Sequence, residues 1–261
     1  MRRFFVPELG AVGARLTLPA SVRRHVAVLR LEPGAEIVLF DGSGRQARAR
    51  LDGDVAIVLA LETATDERAR VVLVQAMPKG TKSDDVVRMA TELGAHAVHF
   101  ALSDHAVARP DEARGSKKTS RWQRIAEEAA RQCERATVPE VHAPSPLLDV
   151  CGRAPSEATR LVAWARGGRP IADQLRELHP RVHYTPPTND TEPAETGTPS
   201  EDAPPSAREV WIAVGPEGGF SDAELAALDR LGFARVTLGP HVLRVDTAAL
   251  AALAQIAALV G

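Results

Sequence analysis

Two stretches near the C-terminus carry residue types on which chemistry can be built. The first, Val214-Gly215-Pro216-Glu217-Gly218-Gly219-Phe220-Ser221, joins an apolar run to a polar, helix-forming one. Glycines at 215, 218 and 219 let the backbone turn through positive φ and come close to a ligand, and Glu217 sets a carboxylate among them. The second, Leu238-Gly239-Pro240-His241-Val242-Leu243-Arg244-Val245-Asp246-Thr247-Ala248, again runs from strand through glycine loop to helix, with Arg244 and Asp246 just before that helix. In one parallel sheet the two loops would lie side by side at its C-terminal edge, where α/β proteins bind ligands, and would form a cleft. Neither is a phosphate loop, because GxxxxGK[ST] and GxGxxG are both absent. The plainer readings are a tight turn for the first stretch and, for the second, a helix-capping Asp246 with Arg244 as its surface partner.

Other reactive side chains form no comparable set. His96 and His99, and His179 and His183 on either side of Pro180, join no Cys or Asp cluster, so no metal site is expected. Cys133 and Cys151 lie in no CxxC pair, which excludes a disulfide framework, and Cys133 reads as a packing residue on a helix. No GxSxG elbow is present.

Elements able to position the two loops follow from residue 70 onward. Val71 to Ala76, Ala97 to Leu102, Leu161 to Ala165, Val210 to Val214 and Arg235 to Leu238 read as short apolar strands. Between them, helices are predicted over Asp84 to Leu93 (capped by Ser83, stopped by Gly94), Arg121 to Arg135, 170 to 178, and Asp222 to Leu231 (capped by Ser221, stopped by Gly232). Thr247 to Val260 forms a last Ala/Leu-rich helix. Strands buried on both faces and separated by helices imply an α/β fold, a parallel sheet flanked by helices.

The first 65 residues read differently. Ala35 to Phe40, Arg45 to Leu51 and Val55 to Leu61 form a β-meander turned at Asp41-Gly42-Ser43-Gly44 and Asp52-Gly53-Asp54. The two-residue period puts Gln46, Arg48 and Arg50 on one face and Ala47, Ala49 and Leu51 on the other. Before them, Ser21 is expected to cap a helix over Val22 to Arg30 with Arg23, Arg24 and Arg30 outward.

These stretches bring the chain to a family. IAVGPEGGFSDAE (212 to 224) and LGPHVLRVDTAAL (238 to 250), in that order, resemble the RsmE-type bacterial 16S ribosomal RNA uridine-N3 methyltransferases of the SPOUT superfamily. The resemblance extends through RRFFV, HVAVLRLEPGAEIVLFDGSG (25 to 44), QAMPKGTKSDDVVRMATELGAHAV (75 to 98) and RWQRIAEEAARQCERATVPEV (121 to 141). It implies a PUA-like RNA-binding β-barrel over 1 to 68 and, over 69 to 261, a SPOUT domain with a C-terminal trefoil knot. It also implies S-adenosylmethionine as methyl donor, a homodimer, and the small subunit or its 16S RNA as substrate.

On the matching positions, the donor would be held by Gly215, Pro216, Glu217, Gly218 and Gly219, by Leu238, Gly239 and Pro240, and by Leu243 and Arg244. Ala163, Trp164 and Ala165 would add a third segment, although Trp164 also reads as a packing residue. In catalysis Arg244 would stabilise negative charge on the uracil, and Asp246, with Glu217 as second choice, would take the N3 proton; alternatively Asp246 only holds Arg244. RNA would be gripped by Arg23, Arg24, Arg48 and Arg50, with Arg114, Lys117, Lys118, Arg121 and Arg124 bordering the second domain. Two departures stand near the site: Val245-Asp246 replaces Thr-Glu, and His105 follows Ser103-Asp104 where the family has an arginine, with Arg109 the nearby candidate substitute. Action on another RNA, and a non-catalytic RNA-binding relative, are the competing readings.

Composition bears on the partner. The chain of 261 residues has a formal net charge of −2, which by itself argues against nucleic acid. Residues 185 to 207, with six prolines and five acids, no base and no large apolar residue, read as a disordered loop and account for −5 of that charge, leaving +3 on the rest. Nine arginines against four acids in residues 1 to 50 concentrate the positive charge, and 28 of the 32 basic residues are Arg, the better phosphate grip. No apolar window is long enough to span a bilayer and no signal peptide is evident, so a cytoplasmic address without membrane partners is expected.

Overall fold

The computed structural model describes residues 1–63, 69–106, 112–178 and 209–260, less the side chains of 112–115 and 178. The expected loop at 185 to 207, with Arg109, His179, His183 and the Arg114 side chain, lies outside the described residues. In chain order the elements begin β1 (Arg2–Phe5), β2 (Arg15–Thr17), α1 (Ala20–Val28), β3 (Glu36–Phe40), β4 (Arg45–Asp52), β5 (Val55–Thr63), β6 (Arg70–Ala76), α2 (Lys82–Glu92) and β7 (Ala97–Leu102). They continue α3 (Glu112–Gln132), β8 (Glu140–Pro146), α4 (Leu147–Cys151), β9 (Thr159–Ala163), β10 (Arg169–Pro170), α5 (Ile171–Leu178), β11 (Glu209–Val214), α6 (Asp222–Arg230), β12 (Ala234–Thr237) and α7 (Val245–Val260). Two compact units result: Met1–Glu67 with Arg121–Glu140, and Arg68–Ser120 with Val141–Gly261.

The first unit is built on a curled mixed sheet in the order β1-β3-β4-β5-β2. The meander of β3, β4 and β5 pairs antiparallel as its alternation requires, and β1 joins β3 in parallel. Ala47, Ala49 and Leu51 are buried while Arg48 and Arg50 are exposed, the two faces that the period of two separates. A register shift at Arg48/Ala49 marks a bulge, which adds twist to the sheet. Residues 121–140, grouped by the sequence reading with the second domain, are tied here by backbone. Val138 N–H donates to Gly42 O at 2.9 Å, Gly44 N–H to Ala136 O at 3.2 Å, and Gly42, at φ +83°, sits against Val138. Helix α1 corrects the expected cap: Pro19 precedes it, no side chain caps it, and Ser21 lies in its first turn.

The second unit carries a seven-stranded sheet in the order β10-β12-β9-β11-β6-β7-β8. Each neighbouring pair from β10 to β7 runs parallel. Its middle strands are buried along almost their whole length, which is why they read as continuous apolar runs rather than alternating ones. Helix α7 packs on α2 and α5 and over β6 and β11, while α4 packs with α6 and against β6 and β7. The cap expected at Ser83 is also corrected: α2 starts at Lys82 after Thr81, and Ser83 is buried within its first turn.

One buried group makes this unit sensitive to acid. The His99 ring, 7% exposed, stacks on His142 at 3.9 Å between centroids and lies 5.5 Å from Trp211. Burial first, then the charges of His142 and Arg153, push its pKa down to about 4. Because the folded value lies below the unfolded one of about 6.5, the unfolded chain takes up the proton first, and stability falls as pH drops from about 6.5 toward 4. The loss from this ring is on the order of 2–3 kcal/mol. Denaturant unfolding at pH 7 and pH 4.5 should show it, and His99→Phe should shrink the difference; an unchanged difference would remove His99 as its cause.

Candidate active site

The sheet order puts four C-terminal strand ends in a row, β12, β9, β11 and β6. Since these strands are parallel, the loops that follow them gather at one edge, at the point where the chain's progress across the sheet reverses. There they enclose a cavity of about 810 Å³, within the range that holds a drug-sized ligand. Its wall contains Gly215 through Gly219, Leu238, Gly239, Leu243 and Arg244 from the two glycine loops, and Ala163 and Trp164 after β9. Of the residues expected to meet the donor, only Pro240 is absent from the wall. His105, read as a departure near the site, also lines it, as do Lys82 and Arg166, to which the sequence reading gave no place there.

The first glycine loop is held at both ends. Gly219 N–H donates to Pro216 O at 2.9 Å, and Gly219 turns at φ +73°, where a side chain would be strained. Beyond it Ser221 and Glu224 form a capping box: Ser221 Oγ accepts from Glu224 N–H at 3.2 Å and Glu224 Oε2 from Ser221 N–H at 2.8 Å. The loop after β7 grips the same corner. Asp104 N–H donates to Glu224 Oε1 at 2.8 Å, Ser221 Oγ donates to Asp104 Oδ2 at 2.6 Å, and His105 Nδ1 lies 3.1 Å from Gly219 O. A Cβ on Gly218 would come within 3.1 Å of His105 Cβ, so glycine there lets the two loops meet.

Behind the third wall, Trp164 N–H donates to Val236 O at 2.9 Å and the Arg235 guanidinium stands 6.0 Å from the Trp164 ring centroid. Trp164 also packs on the core, so its wall and packing roles coexist.

Charge in the site is organised around Lys82. Its Nζ lies 3.4 Å from Glu217 Oε1 and 3.5 Å from Asp246 Oδ1, so one ammonium serves two carboxylates. Burial alone would raise the Glu217 carboxyl. Hydrogen bonds from its own N–H and from Lys79 N–H, together with the Lys82 ammonium, outweigh that and hold it below the usual carboxylate range. Asp246 is not part of the cavity wall and meets it through Lys82; its buried Oδ1 accepts no hydrogen bond from the described residues. Arg244 is exposed in the wall and forms no ion pair among the described residues, so the Arg244–Asp246 pair of the plainer reading is not made.

Residues 65–257 match the RNA methyltransferase domain family. Ribosomal RNA small subunit methyltransferase E of Mycobacterium bovis is 33% identical over 98% of this chain and 91% of its own length. The chain belongs to the ribosomal RNA small subunit methyltransferase E family. A solved member of this methyltransferase E family, from Neisseria gonorrhoeae and bound to S-adenosyl methionine, is 30% identical with a TM-score of 0.78, covering 97% of this chain and 95% of its own. A putative methyltransferase from Legionella pneumophila, in complex with the same cofactor, is 26% identical with a TM-score of 0.76, over 97% and 96% of the two chains.

In this methyltransferase E family member His105, which the sequence reading sets apart from the family motif, is the residue bonded to Gly219 O. Of the arginines expected to face RNA, Arg23 is paired with Asp54 at 2.9 Å and Arg48 stands 4.0 Å from Glu62, while Arg24 and Arg50 are exposed with no ion pair among the described residues. Lys117, Lys118, Arg121 and Arg124 lie along α3, with Lys118 half-buried and the other three exposed. No three His, Cys, Asp or Glu side chains among the described residues are grouped to hold a metal, and no described helix is long and apolar enough to cross a membrane.

Proposed function

We propose that this protein transfers a methyl group from S-adenosylmethionine to N3 of a uridine in the 16S RNA of the small ribosomal subunit. One observation carries the reading: in a chain of this family, two glycine loops and the end of β9 wall a cavity of about 810 Å³ into which Arg244 brings a guanidinium that has no ion pair among the described residues. The cavity fits the donor, with glycines where backbone must come close and apolar Leu238, Leu243 and Val245 in its wall.

The donor, when bound, supplies an electrophilic methyl on a sulfonium sulfur. Uridine N3 carries a proton at neutral pH, so as the N3–carbon bond forms and the sulfur–carbon bond breaks, that proton must leave. Arg244 stabilises the negative charge on the N3/O4 edge, and Asp246, which lies behind Lys82 and outside the cavity wall, is the group to which the proton passes, yielding neutral 3-methyluridine and a neutral thioether. Glu217, already engaged by three donors, is the poorer acceptor and shapes the loop. Arg23, Arg24, Arg48, Arg50, Arg114, Lys117, Lys118, Arg121 and Arg124 contact RNA phosphates, which predicts strongly salt-dependent binding.

The same reading closes the first unit's sheet as a PUA-like barrel and threads α7 and the loop before it through a trefoil knot. It makes the protein a cytoplasmic homodimer, in which Val242, 81% exposed beside Arg244, is covered by the second copy. Purified protein incubated with methyl-labelled S-adenosylmethionine and small subunits lacking the modification should place label in 3-methyluridine. Label in another nucleoside, or none in RNA, overturns the proposal.

A further inference from the structure

Lysine is scarce in this chain, at four residues against 28 arginines, and Lys82 stands at the first position of α2. That end of a helix disfavours a cation, and Asp84 and Asp85 follow it with the sign the helix prefers. Something other than helix stability therefore fixes a cation there. The ammonium reaches two carboxylates from two other segments, Glu217 on the loop after β11 and Asp246 in the first turn of α7. The other charged or titratable side chains of the cavity wall are His105, Arg166, Asp222, His241 and Arg244, and none of them is paired with either carboxylate among the described residues.

We propose that Lys82 is a positioning residue for the methyl-transfer step: its single ammonium joins the glycine loop to the start of α7 and divides the two carboxylates into a fixed one, Glu217, and a free one, Asp246. The inference rests on the methyltransferase reading and goes beyond it by separating the carboxylates. Glu217 Oε1 is met by Lys79 N–H as well as by Lys82, whereas among the described residues Asp246 has only the ion-pair contact at 3.5 Å. Removing Lys82 takes a cation from beside Glu217, so that carboxyl holds its proton more strongly, and the loop loses its tie to α7.

The test compares wild type with Lys82→Met and Lys82→Arg. In the donor-free protein, carboxyl titration by NMR should show Glu217 titrating at higher pH in Lys82→Met. Calorimetry should show S-adenosylhomocysteine affinity within about threefold of wild type, while kcat falls at least thirtyfold. Lys82→Arg should recover a third or more of the lost kcat. An unmoved Glu217 titration, wild-type turnover in Lys82→Met, or a loss of turnover that only follows a loss of donor affinity would overturn the role. Should Lys82→Met fail to fold, Lys82→Gln takes its place, and an arginine variant no better than the glutamine variant would also overturn it. Failure of wild type to form 3-methyluridine would instead sink the methyltransferase reading itself.

Discussion

Arg244→Ala is expected to lower the rate of methyl transfer by roughly a hundred- to a thousandfold, the usual loss when one preorganised donor is removed from a developing anion. The size follows from how little else the guanidinium does. It lines the cavity, is exposed, and makes no ion pair among the described residues, so its removal opens no packing defect and leaves no buried carboxylate alone. Asp246, its neighbour in sequence, already has Lys82. Backbone structure is kept as well, since the bond from Ala248 N–H to Arg244 O needs no side chain. S-adenosylhomocysteine should therefore bind Arg244→Ala within severalfold of wild type, and single-turnover rates should carry the whole loss. Near-normal turnover would remove Arg244 from the chemistry. An equal loss of donor affinity would make it a binding residue.

The second large effect is on stability and lies behind the third wall of the cavity. Gly168 has φ +105°, and a Cβ there would stand 2.6 Å from Arg235 O and 2.8 Å from Arg235 C. Those are backbone atoms of β12, which cannot rotate aside. Strain at a left-handed position costs about 1–3 kcal/mol and overpacking about as much again, so Gly168→Ala should lose about 3 kcal/mol or more. At this chain length, that is a fall in Tm on the order of 6–12 °C. Gly167→Ala is the control: φ is +149° and no atom lies within 4 Å, so it suffers backbone strain without the clash. Donor affinity should drop in Gly168→Ala because β12 also carries Val236, which bonds Trp164, and Arg235, which lies over its ring. Equal melting temperatures for the two variants would show that β12 moves aside at no cost.

Much of this site could be read along the chain because its signals are local. Ser221 and Glu224 stand at capping-box spacing, the glycines flank apolar strands, and the loops follow strands that the sheet places side by side. Helix ends were legible where the left-handed closing residue is glycine, at Gly94 and Gly232, each followed by the backbone bond that closes such an end. They were misplaced at α1 and α3, where Arg30 at φ 52° and Glu134 at φ 63° take that conformation and no glycine announces it. Strand β1 was missed because its sequence, RRFF, shows no clean alternation and its partner β3 is distant in sequence. Lys82 was missed for the same physical reason: both of its carboxylates arrive through the fold. Arg244 and Asp246 look paired only because they are near in sequence. A lysine at a helix start in an arginine-rich chain was the one local hint.

Nucleoside mass spectrometry of 16S RNA tests the central claim most directly, comparing a strain lacking this gene with the same strain carrying it on a plasmid. The account predicts that 3-methyluridine disappears on deletion, returns with the wild-type gene, and fails to return with Arg244→Ala. Persistence of 3-methyluridine at the wild-type level in the deletion strain, with no second enzyme that makes it, would contradict the account.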